Sequence, residues 1–384
     1  MNVLYCSPVE WWETRQRFHH VTHGLSDRYR FQVFFPRSHK RILKERGLGS
    51  LLSPYSRETE GSLTLFGVPT IPFYRAFPPL IPVNWEFSNR RIARVARAQQ
   101  EPVDILWLTH PSQAGLKARI PHRRLVYECV DDYALFWGDD ATRQRVIRLE
   151  EDLARKADLV VASSQRLFDR MNAWNPRTCW VGNGAEVDFF EQVRTQTFEM
   201  PEELRTRSAP FVGFYGALGD WVDLELLVKA AKAYPQVTFL LIGPAFTDVS
   251  QVSALPNVVL TGLVSYERLR PFLAHIPLWI LPFKRNALTE AVDPVKIYEY
   301  LAAGRTVVST FLPELSPLRD YLSLTESQEA FLEALGEALE APLHVPDGLD
   351  TLLEARSWKS LCDVLHAQLI RLDAPHVPDE KEPA

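Results

Sequence analysis

Short apolar strands alternate with helices along almost the whole chain, and the alternation runs twice. In the first run, strands are expected at Asn2–Cys6, Phe31–Phe35, Ser62–Phe66, Ile105–Leu108, Arg124–Val130, Leu159–Ser163 and Thr178–Val181. Helices are expected at Arg15–Ser26, Arg90–Gln100, Thr142–Ala157 and Gln165–Trp174. The second run reads as strands Phe211–Tyr215, Thr238–Ile242, Val258–Leu260, Leu278–Leu281 and Thr306–Ser309. Its helices fall at Leu224–Ala233, Tyr266–Leu273 and Ser327–Ala341, with one more following Pro294. Strands that are continuously apolar, rather than alternating, are buried on both faces. Helices between them then serve as crossovers, which makes the sheets parallel. Two such runs imply an α/β chain of two doubly wound domains facing each other across a cleft.

The runs are separated by a polar stretch, Glu191 to Ser208, which reads as a linker. The expected layout is a first domain over 1–190, the linker over 191–208 and a second domain over 209–345. A final helix, Leu349–Leu372, lies within a segment (346–372) expected to pack back on the first domain. The charged, Pro-rich residues 373–384 are expected to be disordered.

The chain has 384 residues, 46% hydrophobic and 24% charged, which fits a soluble protein of two or three domains. Its formal net charge of −5 gives no basic field, so no nucleic-acid partner is expected. Cys6, Cys129, Cys179 and Cys362 form no close pair and read as reduced core thiols. His19, His20 and His23 share one expected helix without metal-ligand spacing and read as surface residues. Met1–Val9 is too short for a secretory leader, and no apolar run approaches the roughly 20 residues of a membrane span. A cytoplasmic protein is expected, with any membrane contact peripheral.

The richest local segment is 282–310, which reads as loop, helix, glycine stop and strand. Asp293-Pro294 supplies helix-start chemistry, Lys296 and Glu299 lie in the first turns, and Gly304 ends the helix. A helix N-terminus suits a phosphate. Lys296 adds a full charge, and Glu299 one turn on can accept hydrogen bonds from a ribose. An ordinary strand–helix–strand unit with surface Lys and Glu is the plain alternative. Gly216, Ala217 and Gly219 sit in the first strand-to-helix turn of the second half, where glycine lets backbone N–H groups approach a phosphate.

Gly213–Trp221, Leu241–Pro244, Pro256–Gly262 and above all Pro294–Val308 resemble the donor domain of GT-B glycosyltransferases. The resemblance is to the retaining family 4 type that builds bacterial surface polysaccharides. In the first half, Tyr127–Asp132, Glu150–Ser164 and Val181–Gly184 resemble it too. It implies two Rossmann-like domains and transfer of a sugar from a nucleotide-diphosphate sugar to a hydroxyl acceptor with retention. It implies no cofactor and no metal, since Lys296 and the helix dipole would stabilise the departing diphosphate. Glu299 matches the second glutamate of the family's paired-Glu motif and would bind ribose hydroxyls. The first glutamate would fall at Ala291, a departure, so backbone N–H groups of Ala291, Val292 and Asp293 would serve instead. The family's basic loop residue is also missing, and Lys284 or Arg285 is expected to supply that charge. Val264 and Ser265 would lie near the base.

On the first half, the family's His position is taken by Asp131 or Asp132, which would orient the acceptor or stabilise oxocarbenium charge. Capping of a helix is the alternative role for that pair. His110 ends the preceding strand and faces the same cleft. The turn after the first strand carries Trp11, Trp12 and Arg17, suited to stacking on a sugar or covering a lipid-linked acceptor, or else to burial. The apolar segment Phe73–Phe87, read as irregular, is followed by Arg90, Arg91, Arg94 and Arg97. With Arg37, His39, Lys40, Arg41, Lys44 and Arg46 these could form a surface for anionic lipid. A nucleotide-sugar 2-epimerase and a degenerate, non-catalytic GT-B subunit are the competing readings.

Overall fold

The computed structural model describes residues 1–12, 15–37, 55–72, 74, 77, 79–341 and 347–372. Its strands are β1 (Asn2–Cys6), β2 (Arg30–Arg37), β3 (Ser56–Glu60), β4 (Leu63–Pro69), β5 (Ile105–Leu108), β6 (Arg124–Cys129), β7 (Leu159–Ala162) and β8 (Thr178–Trp180) in the first half. The second half has β9 (Phe211–Tyr215), β10 (Thr238–Ile242), β11 (Val258–Gly262), β12 (Leu278–Leu281), β13 (Thr306–Thr310) and β14 (Ser323–Thr325). The first sheet has eight strands in the order β3-β4-β2-β1-β5-β6-β7-β8, and the second has six in the order β11-β10-β9-β12-β13-β14. All neighbours are parallel except the edge pair β3 and β4.

Strand alternation builds the core. In β1, Leu4 and Cys6 join the apolar cluster on one face of the sheet, while Val3 and Tyr5 join the cluster on the other. Helix Trp358–Arg371 crosses back and sinks Trp358, Leu361, Cys362, Leu365 and Leu369 into the second of these clusters. The six-stranded sheet has its own large core. Strand order reverses between β1 and β5 in one sheet and between β9 and β12 in the other, and ligands bind at such reversals.

Several local expectations need correction. The stretch read as linker is partly helical: Val187–Thr195 and Glu202–Arg205 are helices. The last helix is two, Leu349–Ala355 and Trp358–Arg371, because Ser357 caps the second with its own hydroxyl. The segment read as irregular up to Phe87 is helical from Leu80, and that helix runs to Ala98. Strands β3 and β14 were unforeseen. His19 and His20 are buried rather than on the surface. All four cysteines are free. Among the described residues, no helix is long and apolar enough to cross a membrane. His39, Lys40, Arg41, Lys44, Arg46, Phe73, Pro78 and the tail 373–384 lie outside the described residues.

Candidate active site

The C-terminal ends of β9 and β12 and the start of helix Val295–Ala302 converge. Gly216, just after β9, has φ +140°, a conformation that favours glycine. The Lys296 side chain lies against it: a Cβ at Gly216 would overlap Cε and sit 2.9 Å from Nζ. The turn glycine and the helix lysine, far apart in sequence, thus form one site. Burial pushes the Lys296 ammonium below its ordinary pKa, with the charge of Glu299 acting against that shift. The amide of Gly216 donates to Ile242 O at 2.8 Å and that of Leu218 to Pro244 O at 2.9 Å, so neither is open to a phosphate. Among the described residues no hydrogen bond engages the amides of Ala217 and Gly219. Gly219 packs on the Trp221 ring. Pro294 is the N-cap of the helix, so the N–H groups of Val295 and Lys296 face outward from its first turn.

Glu299 is 4% exposed, and its two oxygens are gripped by phenols from separate elements. Tyr215, the last residue of β9, donates to Oε2 at 2.5 Å, and Tyr266 donates to Oε1 at 3.3 Å. Burial raises the Glu299 pKa to about 7, against the lowering effects of Tyr215, Lys296 and Tyr266. Each carboxylate oxygen has a second lone pair, so ribose hydroxyls can still be accepted. The next helix residue, Tyr300, accepts from the Tyr215 amide at 3.1 Å and fixes β9 to this helix. Sequence reading missed both tyrosines; Tyr215 was adjacent to the glycine turn, but nothing local marked Tyr266.

The loop before the helix does other work than expected. Ala291 is fully buried in a cluster of the first half's core, and its amide donates to Leu288 O within its own turn. The Val292 amide likewise donates to Thr289 O at 3.1 Å. Neither N–H is available to a ligand. Glu290 turns away to pair with Arg166 at 2.5 Å. Asp293 does not cap its helix. Its carboxylate accepts from the Asn183 amide at 2.7 Å and from the Tyr298 hydroxyl at 2.8 Å, and its carbonyl accepts from Asn183 Nδ2 at 2.6 Å. Arg356 stands 3.6 Å from the same carboxylate. Burial raises the Asp293 pKa, opposed by Arg356. Asp293 therefore clamps the two halves together at the Gly182-Asn183-Gly184 turn. A Cβ at Gly184 would collide with Arg356 O, which is why that turn needs glycine. Lys284 is exposed at the loop's start, and Arg285 donates to Glu326 O at 2.8 Å.

Just after β6, Asp131 and Asp132 separate in character. Asp132 pairs with Arg170 at 2.7 Å, and Arg170 also reaches buried Glu150 at 3.1 Å. This is a structural ion pair. The Asp131 carboxylate is half-buried, and among the described residues no hydrogen bond reaches it. Burial and then the neighbouring Asp132 charge push its pKa up to about 7. His110 caps the turn Pro111–Ala118, its Nδ1 3.0 Å from the Ser112 amide, and its ring stands 4.3 Å from that of Tyr133. Trp11 is buried, donating to Glu60 at 2.7 Å and packing on His19, whereas Trp12 is 40% exposed. Arg17 is buried too: it pairs with fully buried Glu128 at 2.6 Å and donates to Gly182 O at 2.7 Å. Trp11 and Arg17 therefore hold the first half together and do not line an acceptor surface.

Two facing doubly wound domains, with the site at the strand reversal of the second, define the GT-B fold. Residues 209–341, the second half, match the model of the family described as Glycosyl transferases group 1. Over 230 residues the chain is 30% identical to the putative teichuronic acid biosynthesis glycosyltransferase TuaH of Bacillus subtilis (strain 168). That match covers 56% of this chain and spans only 57% of the relative. Among solved structures, the sucrose-phosphate synthase of Thermosynechococcus elongatus superposes with a TM-score of 0.72 at 13% identity, covering 96% of this chain and 98% of that one. A trehalose-6-phosphate protein from E. coli, bound with UDP-2-fluoro glucose, gives 0.68 at 12% identity over 96% and 99%. An α,α-trehalose-phosphate synthase (UDP-forming) from Burkholderia xenovorans gives 0.70 at 12% over 97% and 100%. At these identities the likeness establishes the fold.

Proposed function

We propose that this chain is a glycosyltransferase that moves a sugar from a nucleotide-diphosphate sugar to a hydroxyl acceptor in polysaccharide or glycoconjugate synthesis. The observation that carries the reading is the meeting of Lys296, Gly216 and Glu299 at the strand reversal of the second sheet. A diphosphate set against Gly216 would meet the Lys296 ammonium, the outward amides of Val295 and Lys296, and those of Ala217 and Gly219. These groups stabilise the negative charge that grows on the leaving group as the glycosidic bond breaks. Glu299 would take the ribose hydroxyls. The charge needed on the leaving group comes from this chain, so we propose a metal-independent, cofactor-free reaction. We also propose retention of configuration, as the family 4 resemblance implies. The family match over the second half supports the glycosyltransferase reading, and the TuaH relative supports the polysaccharide reading.

Asp131 is the candidate on the acceptor side, since among the described residues it is the carboxylate of that pair without an ion-pair partner. The outer face of helix Leu80–Ala98 carries exposed Val83, Arg90 and Arg94, with exposed Phe77 just before it. This favours peripheral contact of a cytoplasmic protein with anionic lipid and a lipid-linked acceptor.

The test is thermal stability against a panel of nucleoside diphosphates. A ligand at 100 times its Kd stabilises the chain by about 2.7 kcal/mol. At least one diphosphate should raise Tm in the wild type and lose that effect in Lys296→Ala. If none does, the donor site is misassigned. Sugar transfer that requires an acceptor, with the product anomer read by NMR, then separates transferase from epimerase and retention from inversion.

A further inference from the structure

The grip on Glu299 is unequal, and the looser finger leads out of the site. Tyr215 holds Oε2 at 2.5 Å and belongs to the same sheet as the site. Tyr266 holds Oε1 at 3.3 Å, long for an O–H···O bond, and sits on the turn after β11. The Tyr266 ring is stacked on Phe189 with centroids 5.1 Å apart and meets Phe190 edge-on at 5.5 Å. Both phenylalanines belong to helix Val187–Thr195, which joins the two halves. From the first half, the Arg15 guanidinium lies over the same ring, 5.2 Å from its centroid, and His20 stands 6.1 Å away. Arg15 and His20 in turn converge on Glu186, at 2.6 Å and 3.1 Å. Glu186 is the residue that begins the joining helix. One phenol thus touches the donor-site carboxylate at its tip, the joining helix on its ring, and the first half through a cation.

We propose that Tyr266 is a positioning residue that couples the seating of the two halves to the state of Glu299. The inference rests on the reading of Glu299 as a nucleotide ligand. When Arg15 and Phe189 hold the ring in place, the phenol donates to Oε1 and favours the ionised carboxylate that accepts ribose hydroxyls. When the first half swings away, Arg15 leaves the ring and the 3.3 Å bond is the one that breaks. Glu299 then keeps Tyr215 alone and takes up a proton more easily. The charged and titratable groups facing Glu299 are Lys296 and Tyr300 from its own helix, Tyr215 from β9, Tyr266 from the turn after β11, and Glu186 at the head of the joining helix. Removing the Tyr266 donor removes one lowering influence, so the titration moves upward.

The test measures nucleoside diphosphate affinity by calorimetry between pH 5.5 and 8.5, using whichever of UDP, GDP and dTDP binds best. The proteins are wild type, Tyr266→Phe and Arg15→Ala, each first checked for an intact Tm. Wild-type affinity should rise with pH through a midpoint near 7. In Tyr266→Phe the midpoint should move up; a shift of about one unit cuts the ionised fraction at pH 7 from about one half to about one tenth, a five-fold loss of affinity. Arg15→Ala, which does not touch Glu299, should shift the midpoint in the same direction. A wild-type profile in Tyr266→Phe refutes the positioning role, and a wild-type profile in Arg15→Ala refutes the coupling to the first half. If the wild type binds none of the three nucleotides, the donor-site reading itself fails and takes this inference with it.

Discussion

Gly216→Ala tests the proposed donor site at its tightest point. A Cβ there would overlap Cε of Lys296 and lie 2.9 Å from Nζ and 3.3 Å from Cδ. Ordinary carbon contacts are about 3.5–4.0 Å, so the lysine tip must move by an ångström or more. The obstacle is the far end of a flexible side chain, so the clash itself is relieved cheaply and the chain should fold. The backbone is less forgiving: at φ +140° an alanine costs on the order of 1–3 kcal/mol. The variant should therefore show a modestly lowered Tm together with a displaced ammonium. A charge-assisted contact to phosphate is worth about 1.5–3 kcal/mol, which is a loss of roughly 10- to 150-fold in nucleoside diphosphate affinity. Calorimetry on Gly216→Ala, Lys296→Ala and the double variant checks the origin of the loss. If Gly216→Ala acts by moving Lys296, the double variant loses little beyond Lys296→Ala alone. Full additivity, or a Gly216→Ala protein with lowered Tm and unchanged affinity, would refute the placement of the diphosphate against Lys296.

Glu299→Gln should separate binding from stability. The folded carboxyl titrates near 7 against an ordinary 4.5, so between those values the folded chain holds a proton that the unfolded chain has lost. Ligand-free wild type must then lose stability as pH rises through this window, and the Gln variant should escape that loss, by up to about 3 kcal/mol at pH 8 relative to pH 5, while binding nucleotide more weakly. Parallel pH-stability curves for the two proteins would count against it. Asp132→Asn strips Arg170 of a partner and should lower Tm; Asp131→Asn removes a carboxyl that burial disfavours in its charged form, so it should keep or raise Tm at neutral pH and reduce transfer instead. The reverse pattern would exchange their roles. Arg17→Met leaves the fully buried Glu128 carboxylate without its cation and should cost about 3–5 kcal/mol in urea unfolding, and an unchanged midpoint would show that the pair is not structural.

The central strands were legible because burial on both faces makes them continuously apolar: Leu-Trp-Ile-Leu in β12 admits few other readings. The edges were not. Strand β3 is Ser-Arg-Glu-Thr-Glu, polar because it lies at the antiparallel rim, and its pairing with β4 is a tertiary fact. The helix from Leu80 was hidden because Pro79 and Pro82 lie at its start, although a first turn tolerates proline. In the site, Lys296, Glu299 and Gly216 could be named because one helix and one turn carry them. The Tyr266 grip, the Arg15–Glu186 pair and the Asn183–Asp293 clamp each join residues more than 30 positions apart. No local pattern encodes them.

The loop before the helix shows how a site can be rebuilt. The resemblance puts an acidic side chain at position 291, yet Ala291 is fully buried in the first half's core and Glu290 faces Arg166 instead. A carboxylate at 291 would be buried there without a cation, at a cost of several kcal/mol, so the alanine is what lets this loop pack on the first half. Packing that loop also fixes Asp293 on Asn183, and with it the start of the helix that carries Lys296 and Glu299. In the proposed donor site, the side chains that would meet diphosphate and ribose are thereby fixed by contact with the opposite half. Under the proposed function, recognition of the sugar would then fall to the first half. There Asp131 is the carboxylate that the ion pair between Arg170 and Asp132 leaves open, and this is why the Asp131→Asn variant should be read for sugar selectivity as well as for rate.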